Sequence, residues 1–398
     1  MRHALLVLMF AGLLASAAVP ALAQGEFPLK YADARGNDPV LAMARRIVQP
    51  APEKPVDLKA LPKDFSGQAK YFSIPLGGKQ VLAVVDASKP PKLYVDAAGT
   101  GDLSAAEPVP AGGPENLGMY GPVAIAGAGP QGQAARLRFH VLGDGQLMLV
   151  CPAGYVAGEA KLAGQTYRVA VVCNSSDGRY DRPLQLPLSR SAPPEFNIFA
   201  IDLNQDGKFD RSMPIGGEVA PLAKMTRIKD TYYSLKVAPD GSSVRIEKAD
   251  PGMGTIDVGT PDAEMTALCD AGFQHFSGSG GKWQAPAGRY MVLQMGLAKT
   301  DAAGATWKLS GSGSGKLESF EIRPGETLAL KIGPPLTVKV DAGPAGDGTV
   351  SLAMALEGQA GERYTPGAAK DNEDPSPPQF KILNEAGKVL TTGKFEFG

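Results

Sequence analysis

Tyr233, Leu235 and Val237 place apolar side chains at every second position, Pro239-Asp240-Gly241 turns the chain, and Val244 and Ile246 resume the alternation. Ser234, Lys236, Arg245 and Glu247 take the opposite face. A side-chain period of two is that of a strand with one dry and one wet face, and the turn between the two runs makes them a hairpin. Hairpins with a single apolar face must stack in pairs to bury it. The device recurs at Phe320 and Ile322, then Pro324-Gly325, then Leu328, Leu330 and Ile332. It recurs again at Phe380 and Ile382, the turn at 384–387, and Val389, with Phe395 and Phe397 ending the chain. From about residue 64 onward, short apolar and β-branched runs are punctuated by turn residues, supplied by 49 glycines and 34 prolines. The expected fold is mostly β: two or three packed antiparallel β-sandwich units, immunoglobulin-like or transthyretin-like, with little helix. One helical segment is expected at 39–48, where Asn37 or Asp38 can cap and Pro39 suits the first turn.

The N-terminus reads as a secretory signal. Arg2 gives a positive start, residues 4–19 an apolar stretch short for a membrane span, and Ala21-Leu22-Ala23 a cleavage signature before Gln24. No cysteine follows the stretch to take a lipid, and no later run is long enough to span a bilayer as a helix. The expected organisation is a signal peptide at 1–23, an extended entry segment with its short helix at 24–63, and a β-domain at 64–224. A β-sandwich at 225–333 and a small immunoglobulin-like unit at 336–398 complete it. The breaks fall after the turn-rich 214–222 and at Gly333-Pro334-Pro335. The last unit is short enough to share a sheet with its neighbour. With 40 Lys and Arg against 41 Asp and Glu, there is no basic excess to hold nucleic acid.

The strongest functional signal is Asp202-Leu203-Asn204-Gln205-Asp206-Gly207-Lys208-Phe209-Asp210. It sets oxygen side chains at loop positions 1, 3, 5 and 9, glycine at 6 and an apolar residue at 8, the first three-quarters of an EF-hand-type loop. Calcium needs six to eight oxygens, so the chain must turn sharply while sending alternate side chains inward. Asp202, Asn204, Asp206 and Asp210 would supply side-chain oxygens and Lys208 its carbonyl. Position 12 is Met213, so the bidentate carboxylate must come from Glu218 or another loop. Two segments echo the pattern. Asp177-Gly178-Arg179-Tyr180-Asp181 repeats the second half, with Cys173 and Ser175 at positions 1 and 3. In the stretch from Asp96 to Glu107, Asp96, Thr100, Gly101, Ser104 and Glu107 fit, Asp102 adds a carboxylate, and Ala98 breaks position 3. Asp96, Thr100, Asp102, Glu107, Asp177 and Asp181 are therefore secondary candidates, each also readable as an ordinary Asx turn.

The Asp-x-Asn-x-Asp-Gly-x-Phe-x loop, without flanking helices, resembles the dockerin-type and EF-hand-like calcium loops of exported bacterial β-proteins. The resemblance implies calcium at Asp202, Asn204, Asp206, Lys208 and Asp210. It does not imply docking, since no paired loop-helix units are visible. Ala285-Pro286-Ala287-Gly288-Arg289-Tyr290 is similar to the Pro-x-Gly-x-Tyr turn-into-strand of carboxypeptidase-regulatory-like sandwiches. The Gly393 to Gly398 ending resembles that of exported bacterial proteins to which no activity attaches.

Catalytic signatures are scarce. There is no G-x-S-x-G or H-E-x-x-H, and His140 and His275 lack motif partners. Residues 311–316 imitate a phosphate loop, yet Ser310 replaces its first glycine and Leu317 its magnesium ligand. Cys151 and Cys173 each close an apolar run, so neighbouring strands could bring them together, and Cys269 reads as a buried apolar residue. Trp283 and Trp307 are core aromatics or platforms for sugar rings. The expectation is an exported, non-enzymatic β-protein with structural calcium that interacts with a surface glycan or protein. The alternatives are a glycan-binding module and a glycan-active hydrolase with carboxylates that spacing does not reveal. Mass spectrometry of exported material should find Gln24 at the N-terminus; an intact Met1 there would remove the signal-peptide reading.

Overall fold

The computed structural model describes residues 25–396 apart from 35–37, 42, 66–67, 113–117, 130–131, 189–194, 211–216, 279, 347–348, 372 and 374–375. The signal-peptide region at 1–23, Gln24, the Asn37 cap, Met213 and Phe397 lie outside the described residues. The described chain is nearly all β, 55% strand against 2% helix with no α-helix, arranged in several antiparallel sheets as the alternation requires. No helix among the described residues is long and apolar enough to cross a membrane.

One sandwich is made from two distant stretches of sequence. Its first sheet runs Val219–Pro221, Ile198–Ile201, Gln165–Val172, Gly154–Leu162 and Lys30–Asp33. Its second runs Gly25–Pro28, Ser243–Ala249, Thr231–Val237 and Met225–Ile228. Leu29, Val156, Tyr167, Val171, Tyr233 and Val244 meet between them. The Tyr233 hairpin forms as expected, with Leu235 opposite Ile246 and Val237 opposite Val244. Tyr233, Val237, Val244 and Ile246 are buried, and Lys236 and Arg245 exposed. Its turn needs a glycine: Gly241 has φ +71°, and a Cβ there would sit 2.9 Å from the Tyr180 ring.

A second sandwich is inserted between Asp33 and Gly154. Arg46–Val48, Leu147–Pro152, Ala135–Leu142 and Met119–Ile125 form one sheet, Ala69–Leu76, Lys79–Asp86 and Lys92–Val95 the other. Phe72, Ile74, Val85, Phe139, Met148 and Val150 fill the space between. A third core gathers Ile256, Met265, Trp283, Tyr290, Val292 and Tyr364. There Trp283 stacks on Phe276 at 5.6 Å and Tyr290 on Phe320 at 4.9 Å. In the Pro286 to Tyr290 turn the Tyr290 hydroxyl donates back to the Pro286 carbonyl at 2.6 Å. That bond fastens the entry into the strand Gly288–Thr300.

A shared core runs across the first expected break and a shared sheet across the second. Leu222 and Ile228 share one core, and Thr349–Glu357 and Glu362–Tyr364 continue the sheet that holds Thr306–Gly315. Gln379–Leu383 and Val389–Lys394 pair only with each other. Gly393 is needed in that hairpin because a Cβ would meet the Phe380 ring at 2.5 Å.

Three expectations are corrected. The helix at 39–48 is a single 3-10 turn, Pro39–Leu41, in which Asp38 Oδ1 accepts the Val40 amide at 3.1 Å. A ten-residue helix is marginal without packing, whereas Arg46–Val48 gains a full edge pairing with Met148, Leu149 and Val150. The Phe320 to Ile332 stretch is not a hairpin. Ser319–Ile322 pairs with Gly288–Thr300, and after the Pro324-Gly325 turn Thr327–Ala329 crosses to lie parallel to Met253–Asp257. Finally, Cys151 and Cys173 are free and belong to different sheets, Cys151 in Leu147–Pro152 and Cys173 just past Gln165–Val172. Cys269 is buried as expected, which pushes its thiol up to about 11.

Leu29, 2% exposed, sits between the two entry strands and donates its amide to Ser242 at 2.8 Å. Leu29→Ala should lower unfolding free energy by about 2–5 kcal/mol, while the exposed Lys236→Ala stays within about 0.5 kcal/mol of wild type. Urea titration compares them; equal costs would mean the entry segment is not part of the core.

Candidate functional site

The Asp202 loop begins where Ile198–Ile201 ends, and its backbone amides decide its shape. Asp202, 3% exposed, accepts the Asp206 amide on Oδ1 at 3.2 Å and the Gly207 amide on Oδ2 at 2.9 Å. Asn204 Oδ1 accepts the Asp206 amide at 2.9 Å, and Asp206 Oδ1 accepts the Lys208 amide at 2.8 Å. Gln205 and Gly207 both take left-handed conformations, φ +63° and +83°, which turns the chain tightly enough to return Phe209 to the core. Asn204 Nδ2 lies 3.5 Å from Asp210 Oδ2, joining positions 3 and 9.

Glu218 closes the loop from the far side. It is buried, and its Oε1 accepts the Leu203 amide at 2.6 Å and the Asn204 amide at 3.0 Å, while Oε2 accepts the Asp210 amide at 2.8 Å. One carboxylate thus ties positions 2, 3 and 9. Its Oε1 is saturated by two amides, so only Oε2 keeps a lone pair for another partner. On the opposite side Arg168 donates to the Gly207 carbonyl at 2.6 Å and lies 4.8 Å from the Phe209 ring centroid. Nothing in the sequence pointed to Arg168, which sits on a strand. Glu218 was legible as a candidate donor, but not as an acceptor of three amides. Among the described residues no Lys or Arg lies within ion-pair distance of Asp202, Asp206, Asp210 or Glu218. Nor, among those residues, are three or more His, Cys, Asp or Glu side chains gathered tightly enough to hold a metal as they stand.

The Asp96 loop has the same construction. Asp96, 4% exposed, accepts the Thr100 amide at 3.0 Å and the Gly101 amide at 2.6 Å. Gly99 and Gly101 take the left-handed conformations, φ +72° and +74°, and Leu103 returns to the core as Phe209 does. Its outer half differs. Asp102 is taken up by the Ser104 amide at 2.8 Å, which holds its carboxyl below the usual range, and Glu107 is exposed. A Cβ on Gly101 would meet the Asp57 carbonyl at 2.0 Å, so this loop is pressed against the entry segment.

The third loop keeps only the second half. The Arg179 amide donates to Asp177 Oδ1 at 3.0 Å, and Tyr180 is buried at position 8. Its carboxylates are ion-paired, Asp177 with Arg182 and Asp181 with Arg179. Burial acts to raise the Asp177 carboxyl, but the Arg182 and Arg179 donors outweigh it and hold it below the usual range. The three loops stand apart: no hydrogen bond or ion pair among the described residues joins one to another, and Glu107 does not reach the Asp202 loop.

Trp283 is core, 5% exposed, while Trp307, 41% exposed, bonds Asp301 at 2.9 Å and carries Lys370 at 5.6 Å from its ring centroid. His140 is a strand residue paired opposite Leu149, and His275 Nδ1 lies 3.2 Å from Thr266 Oγ1. Comparison with protein-family models, curated proteins and solved structures gave no match to this chain.

Removing Glu218 should expose its structural role. Glu218→Ala strands three amides and should cost roughly 1–3 kcal/mol or more, in chelator as well as in calcium. Glu218→Gln keeps an acceptor oxygen and should cost less. A Glu218→Ala variant as stable as wild type in urea would show the clamp to be idle.

Proposed function

We propose that the Asp202 loop binds calcium and that the chain is an exported, non-enzymatic β-protein which the ion stabilises, with a surface glycan or protein as its partner. The observation that carries this reading is the uncompensated charge of the loop. Asp202, Asp206, Asp210 and Glu218 surround one turn with no cation paired to them among the described residues, whereas the Asp177 loop balances its carboxylates with arginines. The donor set suits a hard cation: Asp202, Asp206 and Asp210 carboxylates, the Asn204 amide oxygen and the Lys208 carbonyl, with Glu218 Oε2 or water to reach six. Amide hydrogen bonds to Asp202, Asn204, Asp206 and Glu218 shape the turn, and the Asp206 and Asp210 side chains are both exposed. Calcium would supply charge neutralisation and cross-linking of positions 1, 3, 5, 7 and 9.

Export rests on the residue 1–23 pattern, and structural calcium suits an extracellular setting where the ion is abundant. The competing readings draw less support. A glycan platform on Trp283 is at odds with its burial, and the face of Trp307 is shared with Lys370. A glycan hydrolase would place two carboxylates across a cleft, and none of the three principal cavities is lined by more than one among the described residues.

Thermal unfolding in millimolar calcium and in chelator tests the proposal. Calcium at about 100 times its dissociation constant should add roughly 2.7 kcal/mol. Asp206→Ala should lose most of that gain and little else, because position 5 has no substitute. An unchanged wild-type midpoint, together with no calorimetric binding, would overturn the calcium reading.

A further inference from the structure

A cavity of about 370 Å³ opens where three sheets meet. Residues of Val219–Pro221, Met225–Ile228 and Gly272–Phe276 line it, and each of these strands is the last in its sheet. No tighter packing closes the space, because an edge strand has no further neighbour to fill it. The volume lies in the range of roughly 300–1,000 Å³ seen for small-molecule sites. The floor is apolar: Phe199 and Ile201 are buried, and Met225 and Leu235 are half-buried. The wall carries the cations Arg227 and Lys229 beside His275, and no Asp or Glu is among the lining residues.

Both cations are exposed and held by exchangeable partners. Arg227 donates Nε to the Lys229 carbonyl at 3.0 Å and pairs with Asp230 at 2.9 Å, a carboxylate whose side chain is 96% exposed, so the pair is weak. Lys229 donates to the neutral Gln165 amide oxygen at 2.7 Å. Lys229 also takes a left-handed backbone, φ +55°, at the turn between two strands, which fixes where its side chain starts. The Arg227 guanidinium lies 6.0 Å from the Tyr232 ring centroid, which restricts its swing.

We infer that this cleft binds an organic anion with an apolar body, a carboxylate carried on an alkyl or aryl group. The half-buried Leu203, Met225, Leu235 and Phe273 favour such a ligand over a free sugar acid, whose hydroxyls would find Thr226 and the already bonded Gln274 as side-chain partners but apolar surface elsewhere. The cationic wall favours it over a neutral hydrocarbon. The inference does not use the calcium reading: Leu203 of the Asp202 loop borders the cleft, but Asp202, Asn204, Asp206 and Asp210 do not line it.

Isothermal titration of the full-length protein with octanoate, octanol and glucuronate separates the two requirements. Imidazole proton shifts of His275 report the location. Octanoate should bind, shift His275 and leave His140 unmoved, with octanol and glucuronate each at least tenfold weaker. The exposed double change Arg227→Gln/Lys229→Gln should weaken octanoate at least tenfold without altering the melting midpoint. Octanol binding as tightly as octanoate would remove the anion requirement, and glucuronate binding equally would remove the apolar one. No octanoate binding at millimolar concentration, or binding that spares His275 and survives the double change, would overturn the inference.

Discussion

An all-β chain stands or falls on what happens to the outermost strand of each sheet, where a row of amides and carbonyls has no neighbour. Here one short N-terminal stretch supplies that outermost strand in three sheets. Gly25–Pro28 pairs along Ser243–Ala249, Lys30–Asp33 along Gly154–Leu162, and Arg46–Val48 along Leu147–Pro152. Each pairing joins residues a hundred or more positions apart, and Leu29 drops its side chain into the core between two of the strands. The segment is therefore the seam of the molecule. Its polar, proline-rich composition disguises this, because an edge strand with one wet face needs few apolar residues.

That disguise marks the limit of what periodicity reveals. Alternation at Tyr233 to Ile246 and at Phe380 to Val389 was legible because both partners are adjacent in sequence and the turn residues announce the pairing. At Phe320 to Ile332 the same signals are present and the partners are not adjacent. Pro324-Gly325 makes a turn in either case, and only the pull of Met253–Asp257, some seventy residues upstream, sends Thr327–Ala329 into another sheet. The helix at 39–48 fails for a related reason. Asp38 caps one turn as its chemistry requires, but a long-range edge pairing outcompetes the next two.

The loops were more legible than the sheets because their geometry is local. A buried aspartate at the end of a strand has to satisfy its oxygens, and the nearest donors are the amides four and five residues on. Meeting them forces left-handed backbone at positions 4 and 6, which glycine provides at Gly99, Gly101 and Gly207 and Gln205 accepts. The sixth-position glycine and the first-position aspartate are thus two sides of one hydrogen-bonding problem. What the sequence left open was the closure, since Glu218 follows Asp210 at a distance that no loop rule specifies.

The carboxylates of the same turn are partnered differently in each of its three settings, and the differences are what single out the Asp202 loop for the proposal of a cation. At Asp96 the carboxylate spends itself on two amides, position 3 is alanine and position 5 a threonine, so little negative charge gathers. At Asp177 the charge gathers and is met by Arg179 and Arg182. At Asp202 the backbone need is met by Asp202 and Glu218 together, which leaves Asp206 and Asp210 as additional carboxylates, Asp206 accepting the Lys208 amide and Asp210 meeting the Asn204 side chain at 3.5 Å. Arg168 is engaged with the Gly207 carbonyl and the Phe209 ring, and none of the ion pairs among the described residues includes Asp206 or Asp210. On the proposed reading, a hard divalent cation would compensate both carboxylates at once.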